Sequence, residues 1–186
     1  MPVTFMSSLS RTTLIVLTLV TLGGCRTSFK SEDIFSTEQR DNASFSVKIT
    51  AYRERRSFGQ VLGGAYYVFE AKKRDEPNWK RFLVIPYDDP EPIDKKSITL
   101  VDEKTGYTFM HRKFAVTTDA GKSWSLWDVS KIDALKDDRS CWIDKVSINE
   151  NGNGTMEVKC NKSPSILSTK DFGVTWTETT RTTARR

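Results

Sequence analysis

The chain has 186 residues, a formal net charge of +5 and a single histidine, His111. Its length suits one domain with a sizeable core. A lone histidine argues against catalytic triads and histidine-rich zinc sites, and so small a positive excess does not indicate nucleic-acid binding. We therefore predict no metal, no cofactor and no enzymatic activity.

The first residues have the layout of a secretory signal. Arg11 precedes an apolar run from Thr12 to Leu22, and small residues follow that run. This order is typical of an export signal, and about 11 apolar residues are far fewer than the ~20 that span a bilayer as a helix. We expect residues 1–24 to be a cleaved signal peptide and not a transmembrane anchor.

The end of this segment, Leu22-Gly23-Gly24-Cys25, resembles the lipobox of bacterial lipoproteins. The resemblance implies cleavage before Cys25 and lipidation of that cysteine, where several acyl chains give stable anchoring. Arg26 stands where an aspartate usually signals retention in the inner membrane, so it favours the outer membrane. The alternative is an ordinary signal peptide followed by a chance cysteine.

The remaining chain divides into a polar start, a strand-rich domain and a short tail. Residues 25–43 are polar and mixed in charge, which predicts a lipidated tether. From residue 44 apolar and polar positions alternate, which is strand periodicity, and Gly, Asn and Asp turns recur. The predicted strands are Ser44–Thr50, Ala65–Ala71, Arg81–Tyr87, Ser97–Val101, Tyr107–Met110, Lys113–Thr117, Trp124–Val129, Lys145–Ile148, Thr155–Cys160, Ile166–Ser168 and Thr175–Thr179. We predict one helix at Ser130–Asp138, an all-β domain over 44–180 and a disordered tail over 181–186.

Two segments carry the same pattern, Thr-x-Asp-x-Gly-x-Ser/Thr-Trp, about fifty residues apart. Its defining residues are Thr117, Asp119, Gly121, Ser123 and Trp124 in the first copy, and Thr169, Asp171, Gly173, Thr175 and Trp176 in the second. The pattern resembles the Asp-box, or bacterial neuraminidase repeat, of sialidases and of propellers similar to photosystem II assembly factors. In that family the box lies away from the active site, which implies that these residues serve folding.

A weaker third copy precedes these two. Tyr66–Glu70 resembles the strand before the box and Asn78–Lys80 resembles its end, but Asp75 is offset and the glycine is lost. Three units are fewer than the four blades of the smallest closed propellers. We therefore predict tandem antiparallel β-meanders arranged as a partial propeller or a sandwich.

The two cysteines of the later chain are expected to form a disulfide. Once Cys25 is lipidated, Cys141 and Cys160 remain as an even pair in an oxidising compartment. Two buried free thiols are the alternative.

Five residues are candidates for partner binding. Arg53, Arg55 and Arg56 belong to a basic run, while Trp127 and Trp142 lie outside the boxes. Exposed aromatic and arginine side chains anchor many protein interfaces. The alternatives are a solvated strand end for the arginines and core packing for the tryptophans. For His111 we expect an ordinary surface or strand position.

The lack of recognisable catalytic equipment predicts a binding protein. We expect a membrane-anchored periplasmic lipoprotein that binds and inhibits a protein partner, such as a secreted toxin. Immunity lipoproteins that neutralise type VI secretion effectors are similar in general design. The alternatives are an assembly or stability factor for an envelope complex and a carbohydrate-binding module.

Overall fold

The computed structural model describes residues 31–55, 61–88, 91–133, 135–136, 138–161 and 164–181. Within these ranges the chain forms twelve strands, all paired antiparallel, in three four-stranded sheets. The strands are β1 Ser31–Asp41, β2 Phe45–Arg55, β3 Val61–Lys73, β4 Lys80–Tyr87, β5 Ile98–Leu100, β6 Gly106–Met110, β7 Lys113–Thr117, β8 Ser125–Asp128, β9 Trp142–Ile148, β10 Gly154–Lys159, β11 Ser165–Thr169 and β12 Thr177–Arg181. Two single-turn 3-10 helices cover Lys95–Ser97 and Val129–Lys131.

Each sheet is a meander of four consecutive strands. We name them blade 1 (β1–β4), blade 2 (β5–β8) and blade 3 (β9–β12). In β2 the side chains of Phe45, Val47, Ile49 and Ala51 are all buried, because every second residue of a strand points to the same face. The all-β prediction is confirmed, and the arrangement is consistent with a partial propeller or a sandwich of meanders.

Two apolar clusters hold the blades together. One joins blade 1 to blade 2 and contains Phe45, Phe69 and Ile98. The other joins blade 2 to blade 3 and contains Phe114 and Leu167. Blade 2 therefore contributes side chains to both cores.

The box tryptophans stack on the preceding blade at equivalent positions. Trp124 of blade 2 lies flat on Phe82 of blade 1, with ring centroids 3.9 Å apart and planes 1° apart. Trp176 of blade 3 packs against Trp127 of blade 2, with centroids 6.3 Å apart. Phe82 and Trp127 occupy matching positions, each in the last strand of its blade. The boxes thus act as joints between successive blades.

The degenerate third copy lies in the same place in blade 1. Trp79 precedes β4 just as Trp124 precedes β8. The ammonium groups of Lys48 and Lys72 lie 4.4 and 5.1 Å from the Trp79 ring centroid. Cations stack favourably on an indole face, so lysines cover the ring at the position where the other box tryptophans contact a preceding blade.

Three sequence predictions need correction. Within the tether predicted over 25–43, Ser31–Asp41 form a strand whose backbone pairs with β2 on both sides of a bulge at Phe35. Residues 25–30 lie outside the described part, as do the signal peptide and the lipidation site at Cys25. An edge strand pairs through its backbone on one side only and tolerates polar side chains, so its composition resembles that of a linker.

The helix predicted at Ser130–Asp138 is wrong. The chain makes successive turns there, with the Leu135 amide bonded to the Ile132 carbonyl and the Asp138 amide to the Leu135 carbonyl. These i to i+3 bonds form turns tighter than those of an α-helix. Leu135 is nevertheless buried, so the spacing of the apolar residues resembles that of a helix. Arg181, the first residue of the tail predicted over 181–186, instead ends β12, and residues 182–186 lie outside the described residues.

The two box glycines should differ in their sensitivity to substitution. Gly173 has a φ of +87°, and a Cβ there would lie 2.7 Å from two ring carbons of Phe114. Gly121 has a φ of +77°, but its added Cβ would come no closer than 3.3 Å to Phe45. We expect Gly173→Ala to lower the free energy of unfolding by about 2 kcal/mol, from strain and overpacking, and Gly121→Ala by about 1 kcal/mol. Urea unfolding measures both, and an equal or larger loss for Gly121→Ala would contradict the packing argument.

Candidate functional site

Both copies of the Thr-x-Asp-x-Gly-x-Ser/Thr-Trp pattern, called boxes here, have the same internal hydrogen bonds. In blade 2, Asp119 accepts from the Thr117 hydroxyl at 2.8 Å, the Ser123 amide at 2.9 Å and the Ser123 hydroxyl at 2.6 Å. In blade 3, Asp171 accepts from the Thr169 hydroxyl at 2.7 Å and from the Thr175 amide and hydroxyl at 2.9 and 2.6 Å. A carboxylate satisfied in this way holds a turn closed.

The ionisation of the box aspartates follows from these bonds. Burial acts to raise the pKa of Asp119, but the hydrogen bonds from Ser123 and Thr117 outweigh it and leave that pKa below its ordinary value. The pKa of Asp171 is lowered in the same way, with burial opposed by bonds from Thr175 and Thr169. Both groups are therefore charged hydrogen-bond acceptors at neutral pH, committed to the fold.

A groove lies at the opposite end of the strands from the boxes. The blade 2 box follows β7, whereas the turn before β7 carries His111 and Arg112. Around this turn is a cavity of about 610 Å³. Its lining comes from all three blades and their connections: Tyr87, Glu91, His111, Arg112, Arg139, Ser140, Cys141, Trp142 and Asn161. We name this cavity the junction groove.

Aromatic stacking builds the base of the junction groove. The His111 ring lies on Tyr87, with centroids 3.9 Å apart and planes 18° apart, and meets Tyr67 edge-on at 5.5 Å. The Tyr67 hydroxyl accepts from the Glu91 amide at 2.8 Å, which fixes the loop after β4. The His111 carbonyl accepts from the Ile143 amide at 2.6 Å. His111 therefore contacts blade 1 through its ring and blade 3 through its backbone.

The electrostatics of His111 favour a neutral ring. The pKa of His111 lies below its ordinary value, mainly because the ring is buried. The negative charge of Glu91 acts in the opposite direction and raises that pKa. The Nε2 atom of His111 is buried and has no hydrogen-bond partner among the described residues. An unsatisfied buried nitrogen is costly to leave unpaired, so a ligand that supplied a partner to it would gain affinity.

The rim of the groove carries an exposed indole and two arginines. Trp142 is 42 % exposed, although it begins a strand. Arg112 is half-buried and donates to the carbonyls of Asp138 and Leu135, so it is held in place. Arg139 is exposed. Arg112 also lies 3.9 Å from an Asp128 carboxylate oxygen, and Glu91 lines the same groove. Arg139 therefore supplies an accessible positive charge beside the apolar surface of Trp142.

The predicted disulfide is confirmed and forms one wall of the groove. Cys141 and Cys160 are bonded to each other. Beside them the Asn161 amide donates to the Ser140 hydroxyl at 3.1 Å, joining the start of β9 to the loop after β10. Asp138 lies close to both sulfurs, but disulfide sulfurs carry no thiolate to ligate a metal, and we propose no metal site there.

The predicted partner-binding residues do not come together. Trp142 lies in the junction groove. Trp127 is buried against Trp176, so it is not available to bind a partner. Arg53 lies in β2 with its guanidinium 4.3 Å over the Phe35 ring, in blade 1. Arg55 ends β2, and Arg56 falls outside the described residues.

Sequence reasoning missed the other groove residues. Tyr87, His111 and Arg139 are far apart along the chain, and the fold alone brings them together. One signal was present: Arg139 and Trp142 flank Cys141, so a disulfide anchors a segment that carries both a cation and an indole. A segment anchored in this way favours a preorganised binding surface.

The single histidine allows a direct test of the groove electrostatics. We expect His111 to titrate below 6.5 in the folded protein. Because the unfolded chain then binds a proton more readily, stability should fall as the pH drops below about 6.5 towards the folded pKa. The ring-proton shift in NMR and urea unfolding against pH measure the two effects. The variant His111→Asn should remove this part of the pH dependence, because asparagine tolerates the φ of 52° at this position. A titration midpoint of His111 at or above 6.5 in the folded protein would contradict the assignment.

In the described part of the chain, no helix has the length and hydropathy that crossing a bilayer requires. The chain matches no known family model, no curated protein and no solved structure.

Proposed function

We propose that this protein is a lipid-anchored envelope protein that binds and inhibits a protein partner, as an immunity protein against a secreted effector that acts in the periplasm. The observation that carries the proposal is the junction groove, with the exposed Trp142 at its rim and a disulfide in its wall. Partly exposed indoles beside a cavity are typical anchor points of protein interfaces.

The rigidity of the groove supports tight binding. The disulfide, the stacked His111 and Tyr87 rings and the hydrogen-bonded Arg112 constrain the part of the lining to which they belong. A preformed site loses little conformational entropy when a partner binds. An inhibitor that must capture a toxin quickly and release it slowly benefits from this property.

The charge of the groove indicates what the partner presents. Arg139 is an exposed cation on the rim, and the whole chain carries a net charge of +5. Complementary charges steer association and set specificity. We therefore expect the partner to insert an acidic loop that also carries an apolar side chain able to pack on Trp142.

A complementation experiment tests the proposal. In the producing bacterium, deletion of the gene should cause growth inhibition by neighbouring sister cells, and the wild-type gene should restore protection. A Trp142→Ala, Arg139→Glu double variant should fail to protect at equal protein level. The matched control is Val174→Ala with Lys122→Glu, which changes two exposed residues in the boxes at the other end of the blades. This control should protect fully.

Two outcomes would overturn the assignment. Full protection by the Trp142→Ala, Arg139→Glu variant would remove the junction groove as the binding surface. A deletion strain that grows normally beside its sisters but loses an envelope complex would instead identify an assembly factor.

The exposed Trp142 also favours a second candidate, carbohydrate binding. An indole next to polar groups such as Asn161 and Glu91 offers the stacking and hydrogen bonding that sugars use. A glycan array with the wild-type protein and Trp142→Ala separates the two candidates. Binding that disappears in the variant would support the sugar, and a silent array would remove this candidate.

A further inference from the structure

A second exposed surface lies at the start of β1. Ile34 is 65 % exposed and Phe35 is 38 % exposed, and they are adjacent in the chain. Both border a shallow hollow of about 210 Å³ with Asp33 and Arg53. Adjacent exposed apolar side chains are candidates for an interaction surface.

A strand irregularity explains why neighbouring residues share this surface. Ile34 pairs with Tyr52 and Ser36 pairs with Ala51, so Phe35 has no partner residue in β2. Such a bulge breaks the strict alternation of faces. The Arg53 guanidinium lies 4.3 Å from the centre of the Phe35 ring. We name Ile34, Phe35 and Arg53 the edge patch.

The chemistry of the edge patch suits a bilayer surface. Aliphatic and aromatic side chains enter the headgroup region, and an arginine beside them keeps its charge among the phosphates. Next to the patch, Tyr52 and Tyr66 stack with centroids 5.1 Å apart. Tyrosines are enriched where membranes meet water.

The edge patch lies close in the chain to Cys25, the proposed site of the lipid anchor. Only residues 26–30 separate Cys25 from Ser31 at the start of β1. At no more than about 3.6 Å per residue, they reach roughly 20 Å. A lipid on Cys25 therefore holds this end of β1 beside the membrane, where even a weak surface contact is favoured by high effective concentration.

We propose that the edge patch rests on the phospholipid bilayer and orients the domain there. The inference rests on the lipid anchor of the proposed function. The register of the strands relates the edge patch to the end of β4. Ile34 pairs with Tyr52, Tyr52 with Tyr66, and Tyr66 with Pro86. The patch is thus at the same end of blade 1 as Tyr87, so the junction groove also lies at the membrane-facing end and a bound partner is held close to the bilayer.

Chemical tethering tests the inference. The protein from Cys25 onward, labelled at isoleucine methyl groups, is coupled through Cys25 to a maleimide phospholipid in vesicles of phosphatidylethanolamine and phosphatidylglycerol. A gadolinium-chelating lipid then broadens nearby methyl signals. We expect several-fold stronger broadening for Ile34 than for Ile166, which is 40 % exposed in blade 3. Ile49, which is fully buried, reports that the fold is intact.

Two variants test whether the edge patch itself causes the broadening of the Ile34 signal. Phe35→Asp should reduce the broadening of Ile34, whereas Val84→Asp, at another exposed apolar position in blade 1, should leave it unchanged. Equal broadening of Ile34 and Ile166 in the wild-type protein would overturn the inference, as would an Ile34 signal insensitive to Phe35→Asp in a folded variant. Since the tether is chemical and no partner is present, the outcome is independent of the inhibitory function.

Discussion

Trp176→Ala is expected to lower the free energy of unfolding by about 3–5 kcal/mol. Trp176 is only 7 % exposed. Its ring meets Phe114 edge-on, with centroids 5.4 Å apart and planes 88° apart, and it also packs on Trp127. Removing the indole leaves a cavity at the joint between blade 2 and blade 3, which the surrounding strands cannot close because their hydrogen bonds fix their positions.

Trp142→Ala is the matched control for this prediction. It makes the same chemical change at a residue that is 42 % exposed, so we expect a loss below about 1 kcal/mol. Urea unfolding followed by circular dichroism measures both variants, and the slope should stay constant while the midpoint falls. Similar losses for the two variants would show that Trp176 is not the joint described above. A small loss for Trp142→Ala also makes that variant suitable for the functional test.

Loss of the disulfide is the second large effect. Cys141 and Cys160 are separated by 19 positions, and a cross-link of this span stabilises by about 3 kcal/mol in the chain-entropy account. We expect the Cys141→Ala, Cys160→Ala double variant to lose about that much stability. Because these residues also fix the wall of the junction groove, the variant should bind the partner more weakly even under conditions where it remains folded.

Reduction provides the control for the disulfide prediction. Dithiothreitol should lower the unfolding midpoint of the wild-type protein to that of the double variant and leave the double variant unchanged. If reduction moved both proteins equally, the effect would arise elsewhere than at this bond. If it moved neither although a free-thiol assay showed the bond to be reduced, the bond would contribute nothing to stability and the chain-entropy argument would fail for this loop.

The features that the sequence predicted correctly are local. In each box the aspartate, the threonine two residues before it and the hydroxyl residue four residues after it bond within one turn. Alternation in β2 and the compact hairpins of blade 2 likewise involve neighbouring residues. Short-range patterns of this kind are visible in the chain because the interacting groups are separated by only a few positions.

The errors have an equally physical origin. β1 is rich in charged residues, yet it pairs with β2 on both sides of the bulge at Phe35, because strand pairing uses backbone groups that every residue carries. Trp127 resembled a surface anchor, but it is buried as the platform for Trp176 of the next blade. In both cases the environment is set by a different part of the chain, which composition does not reveal.

The sequence by itself determined the all-β class, the two boxes and the disulfide pair, since each depends on periodicity, turn chemistry or the count of cysteines. Only the tertiary structure decided that Tyr87, His111, Arg139 and Trp142 border one cavity, and that the edge patch lies at the same end of blade 1 as part of that cavity. Convergence of distant residues depends on strand register and on how blades stack. Both are set by the packing of whole sheets, which short sequence patterns do not encode.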